Sequence, residues 1–223
     1  KILFNILSSF YNYLLQEELI TSNPIARIRQ KGKYIRKEQH STVIRRLSSL
    51  QWETVIKTAI KLAEANPEVH ERTLFIMNIL YGMYLRISEL AASSRWTPRM
   101  CDFFRDADGN WWFKTVGKGN KARQIAVSQA MLMALKRWRK YLGLPVFPTP
   151  NDNSPLLPKQ TGRGPMTSTR SIRMIVQTCF DVAIQQLQKE KFNEEAEVLR
   201  SATVHWLRHT GISDDVKIRP REH

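Results

Sequence analysis

Cysteine is scarce in this chain: Cys101 and Cys179 are the only two, too few for a disulfide framework or a zinc site. Both read as buried thiols, behaving as small hydrophobes in a reduced setting. No apolar run reaches membrane-spanning length, so no transmembrane helix is expected. The amino terminus, Lys1-Ile2-Leu3-Phe4-Asn5, reads as the inside of a helix and lacks a signal-peptide layout. An initiator methionine is missing as well, so the chain is expected to begin partway into a longer protein. Neither an internal repeat nor a low-complexity segment is present. Acidic residues are also few, 20 Asp and Glu against 35 Lys and Arg.

The resulting net charge of +15 belongs to a chain of 223 residues, 42% of them apolar, a globular proportion that supports a real core. A field of that sign concentrates polyanions at the surface, and nucleic acid is the commonest large polyanion in cells. Membrane surfaces and acidic proteins respond to the same field, so particular residues have to decide between them.

Apolar residues at helical spacing, from Ile2 to Leu15, predict an amphipathic helix over 2–17. Thr21-Ser22-Asn23-Pro24 interrupts it. The basic, non-periodic tract that follows, with Arg27, Arg29, Lys31, Lys33, Arg36 and Lys37, reads as a linker. Ser48 with Gln51 resembles a capping box for a helix over about 49–65, Pro67 suits the first turn of the next, and another is expected at about 86–93. The period then changes. Asp106-Ala107-Asp108-Gly109 and Gly117-Lys118-Gly119-Asn120 are turn chemistry, while 111–116 and 125–127 are strand material. Together they predict a small antiparallel hairpin with Lys118 at its tip. Ser128 and Gly143 bracket a further helix, residues 144–166 hold six of the ten prolines and read as a loop, and helices are expected at about 168–190, 193–200 and from about 203. The fold class is mainly α with a small antiparallel β-sheet (α+β).

Three segments carry chemistry. Arg86 lies in Leu80-Tyr81-Gly82-Met83-Tyr84-Leu85-Arg86-Ile87-Ser88-Glu89-Leu90, and Lys118 on the hairpin turn. His205 and Arg208 share one helical face in Thr203-Val204-His205-Trp206-Leu207-Arg208-His209-Thr210. Singly these read as a surface ion pair, a solvated turn, and a packed or exposed histidine. In combination, two arginines can clamp the non-bridging oxygens of one phosphate and stabilise charge developing during phosphoryl transfer. A histidine titrating near neutrality can handle a nucleophile's proton or hydrogen-bond the phosphate, and a lysine on a turn can protonate a leaving oxygen. Such chemistry needs no metal, no acidic metal cluster is visible, and no cofactor is expected.

The order Arg-x-x-Glu-Leu, Gly-Lys-Gly, then His-x-Leu-Arg-His-Thr resembles the tyrosine recombinases (the phage-integrase family) over about residues 40–212. Ser8–Leu14 through Asn23-Pro24-Ile25-Ala26 is similar to the last helix of that family's core-binding domain. The resemblance implies the C-terminal part of a helical core-binding (SAM-like) domain at 1–28, a basic linker at 29–46, and a catalytic domain at 47–223 that is incomplete at its C-terminus. It implies that Arg86 and Arg208 bind phosphate, that Lys118 is the general acid for the leaving 5′-oxygen, and that His205 is the histidine of the His-x-x-Arg motif. Glu89 matches the family's acidic position, in a supporting role. Lys121 and Arg123 beside the hairpin, and Lys31, Lys33 and Arg36 in the linker, are expected to contact DNA, and Lys121 or Arg123 competes with Lys118 for its assignment. His209 reads as a packing residue.

The family also needs a tyrosine nucleophile, preceded by a His or Trp, downstream of the second arginine. Fifteen residues follow Arg208, none of them tyrosine, and His223 stands too close to serve as the missing histidine. The native protein is therefore expected to continue, and this fragment is expected to be inactive for cleavage. The implied function is site-specific recombination or integration of a mobile element through a 3′-phosphotyrosyl link. The implied partner is double-stranded DNA, met by a homotetramer of the full-length protein, with the fragment monomeric without DNA and no membrane involved. The implied setting is a bacterial cytoplasm, at the nucleoid. The rival is a DNA-binding protein on the same fold without strand cleavage, which would not require all of Arg86, Lys118, His205 and Arg208. Type IB topoisomerases share the logic, but the short hairpin and preceding helix favour a recombinase. A basic RNA-binding protein has no supporting motif.

Overall fold

The computed structural model describes residues 2–31, 45–117 and 119–218. The chain divides into two compact units, residues 1–44 and 45–223.

In the first unit, helices α1 (Ile2–Gln16) and α2 (Pro24–Lys31) are joined through Asn23. Its side-chain amide donates to the Ser8 carbonyl at 3.1 Å and to Asn12 Oδ1 at 2.7 Å, while its Oδ1 accepts the Ile25 N–H at 2.9 Å. Asn23 thus caps α2, and Pro24 fills the first helical position, where a missing N–H costs nothing. The tract after Pro24, expected to be a linker, is therefore helical as far as Lys31: a cap and a preset φ suffice without an apolar period. Its continuation over 32–44, including Lys33 and Arg36, lies outside the described residues.

The second unit is built around α4 (Pro67–Gly82), whose Leu74, Phe75, Ile76, Met77, Ile79 and Leu80 are all buried. It packs against α3 (Ser49–Ala65), α6 (Gln129–Tyr141), α7 (Thr169–Lys189) and α9 (Val204–Ile218). The capping box of α3 is present, with Gln51 N–H donating to Ser48 Oγ at 3.2 Å and Ser48 N–H to Gln51 Oε1 at 2.9 Å. Between α4 and α6 come the single turn α5 (Ile87–Leu90) and an antiparallel sheet of order β1 (Phe103–Arg105), β2 (Trp111–Val116) and β3 (Ala122–Ala126). Helix α5 is half the expected length because Ala91 is already extended. The sheet has three strands where two were expected. The added β1 is too short to show a period, and Phe103 finds its place opposite Phe113, with ring centroids 4.5 Å apart.

The proline-rich loop after α6 is held from below by Arg139, which is buried yet satisfied by Asp152 at 2.7 Å and by the Pro145 and Phe147 carbonyls. Helix α8 (Asn193–Arg200) precedes α9. Of the two thiols, Cys179 is buried in α7 and burial pushes it up to about 12, whereas Cys101 is only half-buried, contrary to expectation.

Helix α9 crosses the end of α4 at close range. A Cβ added at Gly211 would overlap the Tyr81 carbonyl oxygen and stand 3.0 Å from the Tyr84 ring. Tyr81 donates its hydroxyl to Asp214 at 3.1 Å, and the Leu47 N–H donates to Thr210 Oγ1 at 2.9 Å. These contacts carry Arg208 to the segment between α4 and α5.

Candidate functional site

Arg86 is the extended residue that opens α5, and Glu89 is the third residue of that turn. From there the Glu89 carboxylate reaches back to accept the Arg86 backbone N–H at 2.9 Å, which is the local reason for the Arg-x-x-Glu spacing. Its Oε1 also accepts from Arg86 Nη1 at 3.0 Å, and its Oε2 accepts from Arg123 Nη2 of β3 at 2.7 Å. Arg208 Nη1 stands 3.9 Å from the same Oε2. A buried carboxylate is costly unless paired. Glu89 is 2% exposed and is shared by three guanidinium groups, so the cluster keeps a surplus of positive charge on its open side, where Arg86 is 44% exposed.

The backbone adds a further acceptor. Tyr84 has φ +52°, in the left-handed region, and its carbonyl accepts from Arg208 Nη1 and from Arg123 Nη2 at 3.4 Å. For a residue other than glycine this conformation costs about 1–2 kcal/mol. Burial and the neighbouring charges of Arg86 and Arg123 lower the Arg208 pKa, against the pull of Glu89. A guanidinium remains charged at neutral pH despite such a shift.

Beside Arg86 opens a cleft of about 490 Å³, bordered by Ser88, Ser93, Arg95, Trp96, Asn120 and Thr169. The base of the β2–β3 hairpin closes against it. A Cβ at Gly117 would lie 3.0 Å from Glu89 Oε1 and 3.7 Å from Arg86 Nη1, so a side chain there would crowd the carboxylate and glycine eases the close approach of the strand.

No family model matches the chain. The tyrosine recombinase XerC of Chlorobaculum parvum is 26% identical to it over 136 residues, 58% of this chain and 38% of that protein. The chain is thus similar to the tyrosine recombinases. The XerH site-specific recombinase has the same fold, with TM-scores of 0.50 in a pre-cleavage complex with its difH substrate and 0.53 in a post-cleavage complex with palindromic difH. Both are 20% identical and cover 78% and 77% of this chain, which spans 44% and 42% of theirs. The Tn1549 transposon integrase, solved with circular intermediate DNA, is 18% identical at TM-score 0.50 over 98% of this chain and 66% of its own. This chain therefore spans well under half the length of the XerC and XerH recombinases.

Of the residues that the tyrosine-recombinase resemblance singles out, Arg86, Glu89 and Arg208 come together, and Arg123 joins them through Glu89. His205 is exposed on α9, one turn before Arg208. Lys121 is exposed, and its carbonyl accepts the Gly117 N–H at 2.9 Å across the hairpin base. Lys31 is the last residue of α2. Lys118 and His223 lie outside the described residues, as do Lys33 and Arg36. His209, expected to pack, is exposed.

Two features escaped sequence reasoning. Nothing in a tyrosine announces the left-handed conformation of Tyr84. The other is the inward aim of Arg123, read from the sequence as a DNA contact; the signal for it was strand alternation, which puts it on the same face as the partly buried Ile125.

Proposed function

We propose that this chain is part of a site-specific recombinase or integrase that cleaves and rejoins duplex DNA through a 3′-phosphotyrosyl intermediate, with the scissile phosphate held at the Glu89-centred arginine cluster. The convergence of Arg86 and Arg208 on one buried carboxylate carries this reading. Glu89 takes part of each fork, and the remaining donors suit an anion whose charge grows as the phosphorus becomes five-coordinate. His205, on the next turn of α9, hydrogen-bonds the phosphate or handles the nucleophile's proton. A tyrosine from beyond residue 223 attacks phosphorus, the bond to the 5′-oxygen breaks, and Lys118 gives that oxygen its proton. The reverse sequence rejoins the strands. Duplex DNA as partner is supported by the +15 charge and by the DNA in the XerH and Tn1549 integrase complexes. The full-length protein acts on a mobile element as a homotetramer in the cytoplasm.

Duplex binding by this chain is expected to weaken steeply with salt, and Arg86→Ala and Arg208→Ala should each lower the log–log slope by about one. Affinity indifferent to salt would refute the phosphate reading. In the full-length protein, Lys118→Ala should cleave natural DNA slowly but recover on a substrate whose leaving oxygen is sulfur, which needs no general acid. An equal defect on both substrates would leave Lys118 a phosphate contact and move the acid's role to Lys121.

A further inference from the structure

We propose that Arg123 is a positioning residue, which neutralises Glu89 and so leaves Arg208 free to hold an anion. This rests on the reading of the cluster as a phosphate site. Arg123 Nη2 and Arg208 Nη1 converge on the same two acceptors, the Tyr84 carbonyl and Glu89 Oε2. They do not share the carboxylate equally. Arg123 lies 2.7 Å from Oε2, a short charge-assisted hydrogen bond, whereas Arg208 lies 3.9 Å away, beyond hydrogen-bonding reach. With Oε1 engaged by Arg86, both oxygens of Glu89 are satisfied without Arg208.

The donors of Arg123 also fit this role better than a phosphate grip. Its Nη2 is engaged by Glu89 and Tyr84, and its Nε is buried with no acceptor among the described residues. A forked grip on phosphate needs two adjacent donors aimed outward, and that leaves Arg123 with Nη1 alone. Arg123 reaches the site from β3, so it ties the hairpin strand to the α5 turn at the point where Gly117 lets the hairpin base approach.

Removing Arg123 would leave Oε2 buried with the Arg86 backbone N–H as its remaining short contact and Arg208, 3.9 Å away, as a guanidinium not yet hydrogen-bonded to the carboxylate. A buried, under-compensated carboxylate attracts that cation strongly. Arg208 would close the gap and turn its donors inward, away from the cleft. Arg123 thus acts through Arg208, by occupying the carboxylate that would otherwise capture it.

The test measures affinity of this chain for a short duplex at fixed salt, with thermal unfolding confirming that each variant is folded. Arg123→Ala should weaken binding about tenfold in the parent and hardly at all in the Arg208→Ala background, since both changes remove the same contact. Replacing Glu89 by Gln alongside Arg123→Ala should restore most of the loss, because an uncharged amide no longer draws Arg208 inward. Arg123→Lys should recover most of the affinity by presenting a cation to Oε2, and it keeps the test decisive if the alanine variant fails to fold. The proposal is overturned on its own if Arg123→Ala costs the same factor in every background, or if Arg123→Lys is as weak as Arg123→Ala. A parent indifferent to Arg208→Ala would instead fail the phosphate reading, and this proposal with it.

Discussion

Gly211 and Gly82 are both helical glycines, and the same substitution should move stability in opposite directions at the two positions. At Gly82, the last residue of α4, the nearest atoms an added Cβ meets belong to the Met131 side chain, at 3.5–3.8 Å, which is ordinary contact. Alanine there should gain part of the roughly 1 kcal/mol by which helix propensity favours it over glycine. At Gly211 the Cβ would overlap the backbone oxygen of Tyr81 and crowd the Tyr84 ring. Neither obstacle is the far end of a flexible side chain, so α9 and α4 must separate. Overpacking of this kind costs about 3 kcal/mol, against about 1 kcal/mol of propensity gained, leaving a net loss of roughly 2 kcal/mol. For a chain of this size that lowers Tm by about 4–8 °C. Scanning calorimetry on the two variants and the parent decides the matter. Because α9 carries Arg208, Gly211→Ala should also weaken duplex binding in the folded state. A Gly211→Ala variant as stable as the parent, or as stable as Gly82→Ala, would refute the close crossing.

Tyr81 is held neutral by burial and then by Asp214, which push its pKa up from 10.0 to about 12. Its contribution is fully present below pH 10 and lost as pH rises toward 12, so urea midpoints should fall across that window and Tyr81→Phe should flatten the fall; an unchanged alkaline limb in the variant would remove Tyr81 as its source. A polar disulfide reagent should modify one thiol per native molecule, the half-buried Cys101, and reach Cys179 only after denaturation, with two rapid equivalents contradicting the buried α7 face. Ser48→Ala removes both the cap of α3 and a 2.9 Å bond to Glu195, and should cost about 1–2 kcal/mol in chemical denaturation. A loss of only a few tenths would mean that Gln51, through the Glu195 carbonyl, holds the α3–α8 contact by itself.

Much of the fold was legible because its signals are local. The Ser48–Gln51 box, Pro67, Ser128 and Gly143 mark helix ends through backbone chemistry that acts within a few residues, and α3, α4 and α6 start and stop beside them. What was not legible depends on distant partners. Strand β1 exists because β2 offers Phe113 to Phe103, and α5 is short because the chain turns extended at Ala91 and the Ala92 N–H pairs with the distant Met166 carbonyl. In the candidate site, Arg-x-x-Glu spacing foretells that Glu89 will reach back to Arg86. It cannot foretell that Arg123 and Arg208 arrive at the same carboxylate, nor that Tyr84 accepts a strained backbone to present its carbonyl to both.

The arginine cluster also bears on when in the life of the chain it can exist. Arg86 and Glu89 are three residues apart, but Arg123 lies 34 residues beyond Glu89, and Arg208 meets Tyr84 across 124. General attraction to a polyanion needs only charge, so a nascent or clipped chain has it from the outset. The paired arginines need α9 seated against α4, and α9 is made well after Arg86, Glu89 and Arg123. Attraction and grip are thereby separated in time: an unfinished chain can be drawn to nucleic acid without being able to hold a single phosphate in place. Seating α9 acts as an interlock, and the close crossing at Gly211 is where it engages.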